Sequence, residues 1–431
     1  MGRLTTMMTA RRRRLRAAVS GLLVLLALIS ACSGGTLNPA GTTIGGSALA
    51  TTMGDAAPGS AGAGTVSNSP PTPTVVPPVA TVAAIPKFGT KGLSPIDPLT
   101  VTVSQGTIDD LKFTNPAGKA VRGKISADRT SWKVGEVLGF GKVYTVTGTA
   151  TGTDGQQVKI SGTYTTAGEN AKVRNTVFPG DHAVVGVAAP ISISFGVEPQ
   201  DRRLVEKNVS VTTKPAVKGA WGWINHVDGR WALDYRTKEY WPAGTKVHVS
   251  ATLYGLKLGK NAYGAADLTS DFTIGRNQVV IANVNSHELV VKRNGAVVAR
   301  YPASYGRGGD TGDPNLITRS GIHVVNEFFE TKLMSNPRYG YSDVPERWAV
   351  RISDNGEFIH ANPGSAGAQG NSNVTHGCVN LSLADADAYY HSAIWGDPVE
   401  VTGTSVTLGP DDGDIYTWAM PWSEWLTHSA R

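Results

Sequence analysis

Cysteine is nearly absent from the sequence, which contains only Cys32 and Cys378 among its 431 residues. A disulfide framework is therefore excluded, because at most one bridge could form within the chain. If Cys32 is modified, Cys378 has no disulfide partner within the chain. A free thiol in an exported protein is prone to oxidation unless it is buried or has a chemical function. A single cysteine is most often a buried apolar residue, so the neighbours of Cys378 have to decide its role.

Charged residues are also few, at 17% of the chain, whereas 40% of the residues are hydrophobic, as in globular proteins. The length suits several domains, and the many Gly, Pro, Thr and Val residues favour strands and turns, so we predict a mainly β protein. The formal net charge of +6 is matched by six arginines in residues 1–31: Arg3, Arg11, Arg12, Arg13, Arg14 and Arg16. The rest of the chain is close to neutral, so the basic charge is no argument for nucleic-acid binding, and we predict no nucleic acid as a partner.

Long hydrophobic runs are missing as well, because the apolar stretch at residues 17–29 is too short for a stable membrane span. It follows the arginines, which is typical of an export signal. It ends in Ile29-Ser30-Ala31-Cys32, which resembles the lipobox of bacterial lipoproteins. We therefore predict a lipoprotein signal peptide over residues 1–31 and a lipid on Cys32 that anchors the exported protein at the outer face of the cytoplasmic membrane, in the cell wall. The alternative is an ordinary signal peptide cleaved near this point.

Residues 32–86 are mostly Ala, Gly, Ser, Thr and Pro with almost no charge, so they cannot bury a core. Prolines favour extended, semi-rigid conformations. We predict that this segment is a linker that holds the folded part away from the membrane.

Alternating Val, Thr, Ile and Tyr residues over residues 87–177 and 178–275 predict two tandem Ig-like β-sandwiches. The two stretches resemble each other around Trp132 and Trp231, which lie 99 positions apart, and we predict that each supplies a core tryptophan. No cysteine pair supports an immunoglobulin disulfide, so this prediction rests on the pattern alone.

A third β-rich unit is predicted over residues 276–402. In it, Asn294-Gly295 between apolar runs predicts a tight hairpin, because both central residues need a positive φ. Ser382, with Asp385 as its capping-box partner, predicts the start of a helix that runs to Trp395.

The last segment, residues 403–431, is rich in tryptophan. Three of its indoles fall at helical spacing and predict a packing stripe, with carbohydrate stacking as the alternative: Trp418, Trp422 and Trp425.

The residue types that thiol catalysis needs gather around Cys378. A thiol reacts as the thiolate, which a nearby imidazole can generate and then stabilise as its counter-ion, so His360 and His376 are candidate bases. Gly377 permits a tight turn that could direct the N–H groups of Gly377 and Cys378 at an oxyanion. The alternatives are a buried spectator cysteine and a zinc site of both histidines with Cys378, although neither a fourth ligand nor an H-x-x-E-H pattern supports the metal.

His360, followed after fourteen residues by Thr375-His376-Gly377-Cys378-Val379-Asn380, resembles the motif of the L,D-transpeptidases of bacterial cell-wall synthesis, which have a YkuD-type catalytic domain. The resemblance covers about residues 276–401. The two Ig-like units and the Trp-rich tail resemble the mycobacterial and related actinobacterial lipoprotein members of that family.

The resemblance implies a role for each motif residue. Cys378 would be the nucleophile, His360 the general base, and the main-chain carbonyl of Ala361 the group that orients the imidazole. His376 and Gly377 would shape the oxyanion site, unless His376 is purely structural. The resemblance also gives Thr375 and Asn380 a supporting role in the loop. Residues 328–346 resemble a substrate lid, in which Met334 and Tyr339 are predicted to contact the substrate.

The reaction that the resemblance implies is acyl transfer between peptidoglycan stem peptides. A tetrapeptide donor would lose its terminal D-Ala and form a thioester on Cys378, and an amine of an acceptor stem would then form a 3→3 cross-link. No cofactor or metal is implied, and carbapenems are expected to acylate Cys378. Two alternatives remain open, which are a non-catalytic Ig-like lipoprotein that binds the cell wall and a cysteine L,D-carboxypeptidase that hydrolyses the same stem.

Overall fold

Strands dominate residues 77–413 and 415–431, which are the residues that the computed structural model describes. The mainly β fold class predicted from the sequence is confirmed. The predicted signal peptide, Cys32 and residues 32–76 of the predicted linker lie outside the described residues. The linker ends earlier than predicted, because the first strand begins at Thr81 and not after residue 86. Within the described ranges, no helix has the length and apolar character that crossing a membrane requires.

The first β-sandwich contains eight strands: β1 (Thr81–Ile85), β2 (Lys91–Leu93), β3 (Thr100–Ser104), β4 (Gly106–Thr114), β5 (Gly123–Ile125), β6 (Ser131–Val134), β7 (Val143–Gly152) and β8 (Gln157–Thr166). They form two sheets in the orders β1–β3–β6–β5 and β2–β8–β7–β4. Phe113 fills the space between the sheets, with the rings of Trp132 and Tyr164 at centroid distances of 5.4 and 6.3 Å. Trp132 is thus a core residue, as predicted.

The second β-sandwich and its junction with the first contain eleven strands: β9 (Lys172–Val173), β10 (Asn175–Phe178), β11 (Val184–Val185), β12 (Ile191–Phe195), β13 (Val209–Lys214), β14 (Gly219–Asn225), β15 (Trp231–Thr237), β16 (Lys246–Ala251), β17 (Lys257–Gly259), β18 (Ala262–Gly264) and β19 (Leu268–Ile274). The sheet orders β10–β12–β15–β14 and β11–β19–β16–β13 repeat the first sandwich strand for strand, and β17–β18–β9 is a small third sheet. The predicted repeat is confirmed, since Trp132 and Trp231 lie on the equivalent strands β6 and β15.

Trp231 does not lie in the core, contrary to the prediction. It is partly buried at the start of β15, where the guanidinium of Arg202 lies 3.7 Å from its ring centroid. Arg202 belongs to a helix that was not predicted, α1 (Arg202–Lys207). The tryptophans that do fill the core of this sandwich are Trp221, Trp223 and Trp241.

The third unit contains nine strands: β20 (Gln278–Asn283), β21 (Glu288–Arg293), β22 (Ala296–Pro302), β23 (Gly321–Val324), β24 (Glu327–Asn336), β25 (Tyr341–Arg351), β26 (Phe358–Ala361), β27 (Val379–Leu381) and β28 (Pro398–Thr402). The sheet orders are β22–β21–β20–β28–β23 and β24–β25–β26–β27. One continuous apolar core includes residues from both sheets.

Local sequence signals account for the turns and helices of this unit. Asn294 and Gly295 join β21 to β22 with φ angles of 49° and 80°, as the hairpin signal predicted. A short helix, α2 (Gly308–Thr311), precedes β23, and the longer α3 (Leu383–Ser392) follows β27. Ser382 caps α3 by accepting a hydrogen bond from the Asp385 N–H, as predicted, but the helix ends at Ser392 and does not reach Trp395.

The C-terminal segment packs against the second sandwich, but not as one helix. Trp418 lies in a short 3-10 turn, and a separate helix, α4 (Trp422–Trp425), follows it. The indole N–H groups of Trp418 and Trp425 donate to the carbonyls of Ala188 and Ala220 at 2.7 and 3.0 Å. The buried guanidinium of Arg236 lies 4.9 to 5.4 Å from the ring centroids of all three predicted stripe residues. The packing interpretation of the stripe therefore agrees with the structure, whereas a continuous helix does not.

The second sandwich and the third unit meet at a glycine contact. The Gly186 N–H donates to the carbonyl of Trp395 at 2.7 Å, and the Ala188 N–H donates to that of Gly396 at 2.9 Å. A Cβ atom on Gly186 would lie only 2.2 Å from the Asp397 nitrogen. Backbones this close leave no room for a side chain, so the two units are packed directly together.

Candidate active site

The motif residues meet where β26 and β27 run side by side in parallel. In this register His360 stands opposite Asn380. Cys378 directly precedes β27, and Gly377 before it has a φ of 114°, a conformation that favours glycine. The pairing of the two short strands therefore brings the histidine to the cysteine.

His360 is held in a single orientation inside the protein. Its side chain is 4% exposed, and Nδ1 lies 3.0 Å from the main-chain carbonyl oxygen of Ala361. Because a carbonyl only accepts, Nδ1 carries a proton, and Nε2 is the nitrogen left to interact with Cys378, which lines the same cavity and shifts the pKa of His360. The predicted orienting role of Ala361 thus has its geometric counterpart in the structure.

The charge state of His360 depends on its two partners. Burial lowers the pKa of His360, but hydrogen bonds and charges from Cys378 and Glu346 outweigh burial and raise the pKa to about 10. The ring is therefore protonated at neutral pH. An imidazolium next to Cys378 stabilises a thiolate, which is the nucleophilic form of the side chain.

Glu346 was not anticipated by the sequence analysis. It lies on β25, and its Oε2 atom is 3.4 Å from His360 Nδ1. Its other oxygen accepts a hydrogen bond from Asn362 Nδ2 at 3.2 Å. The motif gave no signal for this residue, because it belongs to the segment predicted as the lid.

The loop before Cys378 is stabilised by internal hydrogen bonds. Thr375 Oγ1 donates to the Cys378 carbonyl at 2.6 Å and accepts from the Gly377 N–H at 3.2 Å. Thr318 Oγ1 donates to the Gly377 carbonyl at 2.8 Å. The Gly377 N–H is therefore already used, whereas the Cys378 N–H has no hydrogen-bond partner within residues 77–413 and 415–431.

His376 is held away from proton transfer. Arg307 Nη2 donates to its Nε2 at 3.1 Å, which requires the unprotonated nitrogen. Burial and the charge of Arg307 both lower the pKa of His376, so the ring is neutral. The rings of Tyr339 and Tyr341 pack on it at centroid distances of 5.2 and 5.3 Å. These contacts match the structural alternative for His376, and Arg307 is a partner that the sequence analysis missed.

Asn380 braces the loops on either side of the nucleophile. Its main chain exchanges two hydrogen bonds with Ser304, at 2.8 and 3.0 Å. Its Nδ2 atom donates to Ser365 Oγ at 3.1 Å. This arrangement agrees with the supporting role that was predicted for it.

The C-terminal segment supports the loop beneath Cys378. The Cys378 Sγ atom lies 3.6 Å from the Gly356 carbonyl oxygen. The neighbouring Asn355 donates through its backbone and side-chain nitrogens to Asp412, at 3.0 Å each. Asp412 also forms an ion pair with the half-buried Arg319. The residues before β26 had no predicted role, and no pattern in the sequence indicated Asp412.

Cys378 lies between two cavities. One of about 400 Å³ is lined by His360, Glu346 and Asn362 among others. The other, of about 350 Å³, is lined by three basic side chains and by Glu357, which pairs with one of them at 3.6 Å. The cationic residues that line the second cavity are Arg319, Lys332 and Arg351. Four residues line both cavities: Met334, Tyr341, His376 and Cys378. An extended substrate can therefore approach the sulfur from either side.

The predicted lid is the hairpin of β24 and β25, whose tip crosses from Asn336 to Tyr341. The Tyr339 hydroxyl donates to Asp313 Oδ2 at 2.9 Å, and Arg338 Nη2 lies 3.6 Å from the same oxygen. Tyr339 lines neither cavity, in contrast to its predicted substrate contact, whereas Met334 lines both. The tyrosine that faces the sulfur is Tyr341, and Tyr339 fastens the tip.

Comparison with known proteins supports the motif and the domain organisation. A family model described as the L,D-transpeptidase catalytic domain matches residues 277–401, and a bacterial Ig domain model matches residues 90–257. The chain is 46% identical over 354 residues to L,D-transpeptidase 5 of Mycobacterium tuberculosis. The aligned region covers 82% of this chain and 78% of that protein. The chain belongs to the L,D-transpeptidase family.

Other relatives of this L,D-transpeptidase are more distant. L,D-transpeptidase 2 of Mycobacterium tuberculosis is 33% identical over 352 residues, which covers 80% of this chain and 83% of that protein. A solved structure of an L,D-transpeptidase in complex with imipenem has 30% sequence identity and a TM-score of 0.44, and the match covers 53% of this chain and 97% of that chain.

Replacement of Tyr339 by Phe should loosen the tip of the β24–β25 hairpin of this L,D-transpeptidase, because it removes the hydroxyl that binds Asp313 but keeps the ring on His376. We expect amide hydrogen exchange at the hairpin tip to become about 2- to 10-fold faster, as for the loss of one hydrogen bond. Asp313→Asn should act in the same direction. The double variant should exchange no faster than the stronger single variant. If the two effects on exchange at the tip were instead additive, the hydrogen bond between Tyr339 and Asp313 would not be what holds the tip.

Proposed function

We propose that this protein is a peptidoglycan L,D-transpeptidase that forms 3→3 cross-links through a thioester on Cys378. The observation that carries the proposal is the buried His360, oriented by the Ala361 carbonyl and placed in the same cavity as the partly exposed thiol of Cys378, which lies between two cavities. A cell-wall binding protein without catalysis has no need for this arrangement. The identity with named L,D-transpeptidases favours the same activity.

In the acylation step, the Cys378 thiolate attacks the carbonyl carbon of the third stem residue of a tetrapeptide donor. The resulting oxyanion accepts a hydrogen bond from the free N–H of Cys378, since that of Gly377 is already used within the loop. Collapse of the intermediate breaks the peptide bond, and His360 gives its proton to the departing D-Ala amine. The products are a thioester and a neutral imidazole.

In the transfer step, the side-chain amine of a second stem attacks the thioester. His360, now neutral, takes the proton that the amine loses, and the thiolate leaves. The imidazolium and the thiolate are thereby restored, and no cofactor is consumed. Water in place of the amine would give a tripeptide, which is the carboxypeptidase alternative.

The same nucleophile would open β-lactams. Attack of the Cys378 thiolate on the strained carbonyl of a carbapenem forms an acyl-enzyme in which the departing amine remains attached to the drug. A relative in this family has been solved with imipenem. We therefore propose carbapenems as covalent inhibitors of this chain.

We further propose that the protein is exported and held at the outer face of the cytoplasmic membrane by a lipid on Cys32. The support is the apolar stretch that follows six arginines and ends in the lipobox-like sequence. Globomycin should make the precursor accumulate, and Cys32→Ala should appear in the medium. A variant that remains in the wall fraction would refute the lipid anchor.

The proposed function is tested by mixing the purified full chain with a disaccharide-tetrapeptide and following both by mass spectrometry. We expect an acyl-enzyme and a cross-linked dimer. A tripeptide as the sole product would identify a carboxypeptidase. A protein that binds the muropeptide without a mass change would identify a non-catalytic wall-binding protein.

The acylation rate should fall as the pH rises through about 10, because His360 then loses the proton that the leaving amine needs. Because the pKa of His360 is raised, the ring stays protonated at every measured pH below that value. The rate should therefore decline only on the alkaline side. The measurement is the initial acylation rate with a peptide donor between pH 6 and 11. An aryl thioester donor is the control, since its leaving group needs no proton and its alkaline decline should be absent. The same decline with both donors would contradict this role of His360.

A further inference from the structure

A carboxylate lies against the back of the catalytic imidazole. Glu346 Oε2 is 3.4 Å from His360 Nδ1, and its side chain is only 13% exposed. That nitrogen also lies 3.0 Å from the Ala361 carbonyl oxygen. The single proton of Nδ1 therefore faces two acceptors, one neutral and one charged.

The carboxylate is fixed by the residue that follows the catalytic strand. Asn362 Nδ2 donates to Glu346 Oε1 at 3.2 Å. Asn362 is itself anchored, because its N–H donates to the Leu381 carbonyl at 2.9 Å and its Oδ1 accepts from the Ser365 N–H at 3.1 Å. The orientation of Glu346 is thus tied to β26 and β27, which carry His360 and Cys378.

A β-bulge in β25 determines which residue faces the site. Val350 pairs with Ile359, but Arg347 pairs with Ala361, so β25 contains one extra residue between these pairs. Without the bulge, Arg347 would pair with Asn362. With the bulge, Glu346 takes that position. Bulges beside active sites commonly redirect side chains in this way.

The bulge is held in place by aromatic packing. Trp348 within it has a φ of 54°, an unfavourable conformation for a bulky residue. Its ring packs against those of Tyr390 and His391, each at a centroid distance of 5.3 Å. The surrounding structure thus maintains a strained backbone whose effect is to present a carboxylate to His360.

We propose that Glu346 is a positioning residue that keeps His360 charged and in place beside Cys378, so that this site holds its imidazole with a carboxylate as well as with a main-chain carbonyl. A carbonyl orients the ring but brings no net charge. An anion at this distance, largely shielded from water, stabilises the imidazolium itself. The proposal deepens the proposed function, because it names a further residue on which the acid in the acylation step depends.

The groups around His360 are consistent with this role. Besides Glu346 from β25, the titratable side chain that touches the ring is Cys378, and Tyr341 lines the same cavity. Burial raises the pKa of Tyr341, and Cys378 and Glu346 raise it further, so the phenol stays neutral. Glu346 is therefore the anion whose removal should change the titration of His360 while the thiol is left intact.

The test is an NMR titration of the full chain with labelled histidine, in which the His360 signal is assigned by its loss in His360→Gln. Glu346→Gln should lower the titration midpoint of His360 by roughly 1 to 3 pH units, as expected for the loss of an opposite charge at this distance. The alkaline decline of the acylation rate should move by the same amount. The matched control is Glu330→Gln, which removes an exposed carboxylate from the adjacent strand β24 and should leave the midpoint in place.

Two further variants separate the possible outcomes. Glu346→Leu fills a similar volume without charge and should lower the midpoint as Glu346→Gln does, so either folded variant gives a decision. Glu346→Asp keeps the charge on a shorter side chain and should restore part of the shift. An unchanged midpoint in a folded Glu346→Gln or Glu346→Leu protein would overturn the proposal. A higher KM for the acceptor amine with an unchanged midpoint would also overturn it and assign Glu346 to the acceptor.

The titration does not depend on turnover. A chain that makes no cross-links but shows the shifted midpoint would count against the proposed function and leave the role of Glu346 standing. A chain that makes cross-links but shows the same pH profile in all variants would support the proposed function and count against the role of Glu346.

Discussion

Cys378→Ala should take up no carbapenem, whereas the unchanged protein should gain the mass of one intact drug molecule. The whole drug is retained because the nitrogen that leaves the carbonyl stays attached through the opened ring. Removal of the nucleophile should lower the acylation rate by at least about 10³-fold, since no neighbouring group can replace the sulfur. Intact-mass spectrometry of the full chain after incubation with the drug measures this directly.

The matched control is Cys32→Ala, which removes the other cysteine of the chain. It should take up the drug at the rate of the unchanged protein, because Cys32 precedes the folded domains and has no catalytic partner in the motif. His360→Gln should retain Cys378 but react about 10²- to 10⁴-fold more slowly, since it lacks the group that stabilises the thiolate and protonates the leaving nitrogen. A drug adduct on Cys378→Ala would place the reactive group elsewhere.

Trp425→Ala should destabilise the folded protein by about 3–5 kcal/mol, as expected for a large core side chain replaced by alanine. Trp425 is fully buried and packs with a small cluster that joins the tail to the second sandwich. Its ring lies against Gly222, where a Cβ atom would come within 2.8 Å of it. The substitution removes this contact, the hydrogen bond to Ala220 and one of the three rings around Arg236.

Urea unfolding followed by circular dichroism measures this loss without relying on tryptophan fluorescence. Trp422→Ala is the matched control, because Trp422 also packs on Arg236 but is only partly buried and has no indole hydrogen bond to the sandwich. Its loss of stability should be clearly smaller. Equal losses in the two variants would mean that burial in the cluster is not what holds the tail.

Features set by neighbouring residues were predictable from the sequence. The hairpin at Asn294 requires two positive φ angles, and the start of α3 requires a side chain such as Ser382 to accept from its first turn. The alternation of apolar residues indicated the two sandwiches, because strands have a period of two. The motif around Cys378 was visible because its residues are close in the chain and their types are chemically specific.

Features set by tertiary contacts were not predictable in this way. Glu346 faces His360 only because β25 bulges at Trp348, and no local pattern signals a bulge there. Arg307 and Asp412 reach the site from segments that are distant in the sequence, so their roles depend on tertiary packing. Trp231 illustrates the same limit, since it lies at the equivalent place in the repeat to Trp132 but at the margin of a core filled by other tryptophans.

Asp412 binds both Asn355 and Arg319, next to the loop whose Gly356 carbonyl contacts the sulfur. A protein shortened before Pro410 would keep the cysteine and both histidines but lose the carboxylate under them. A search for the Cys378 motif alone would then overlook the loss of this support. Through Asp412, the final 22 codons contribute to the support of the active site.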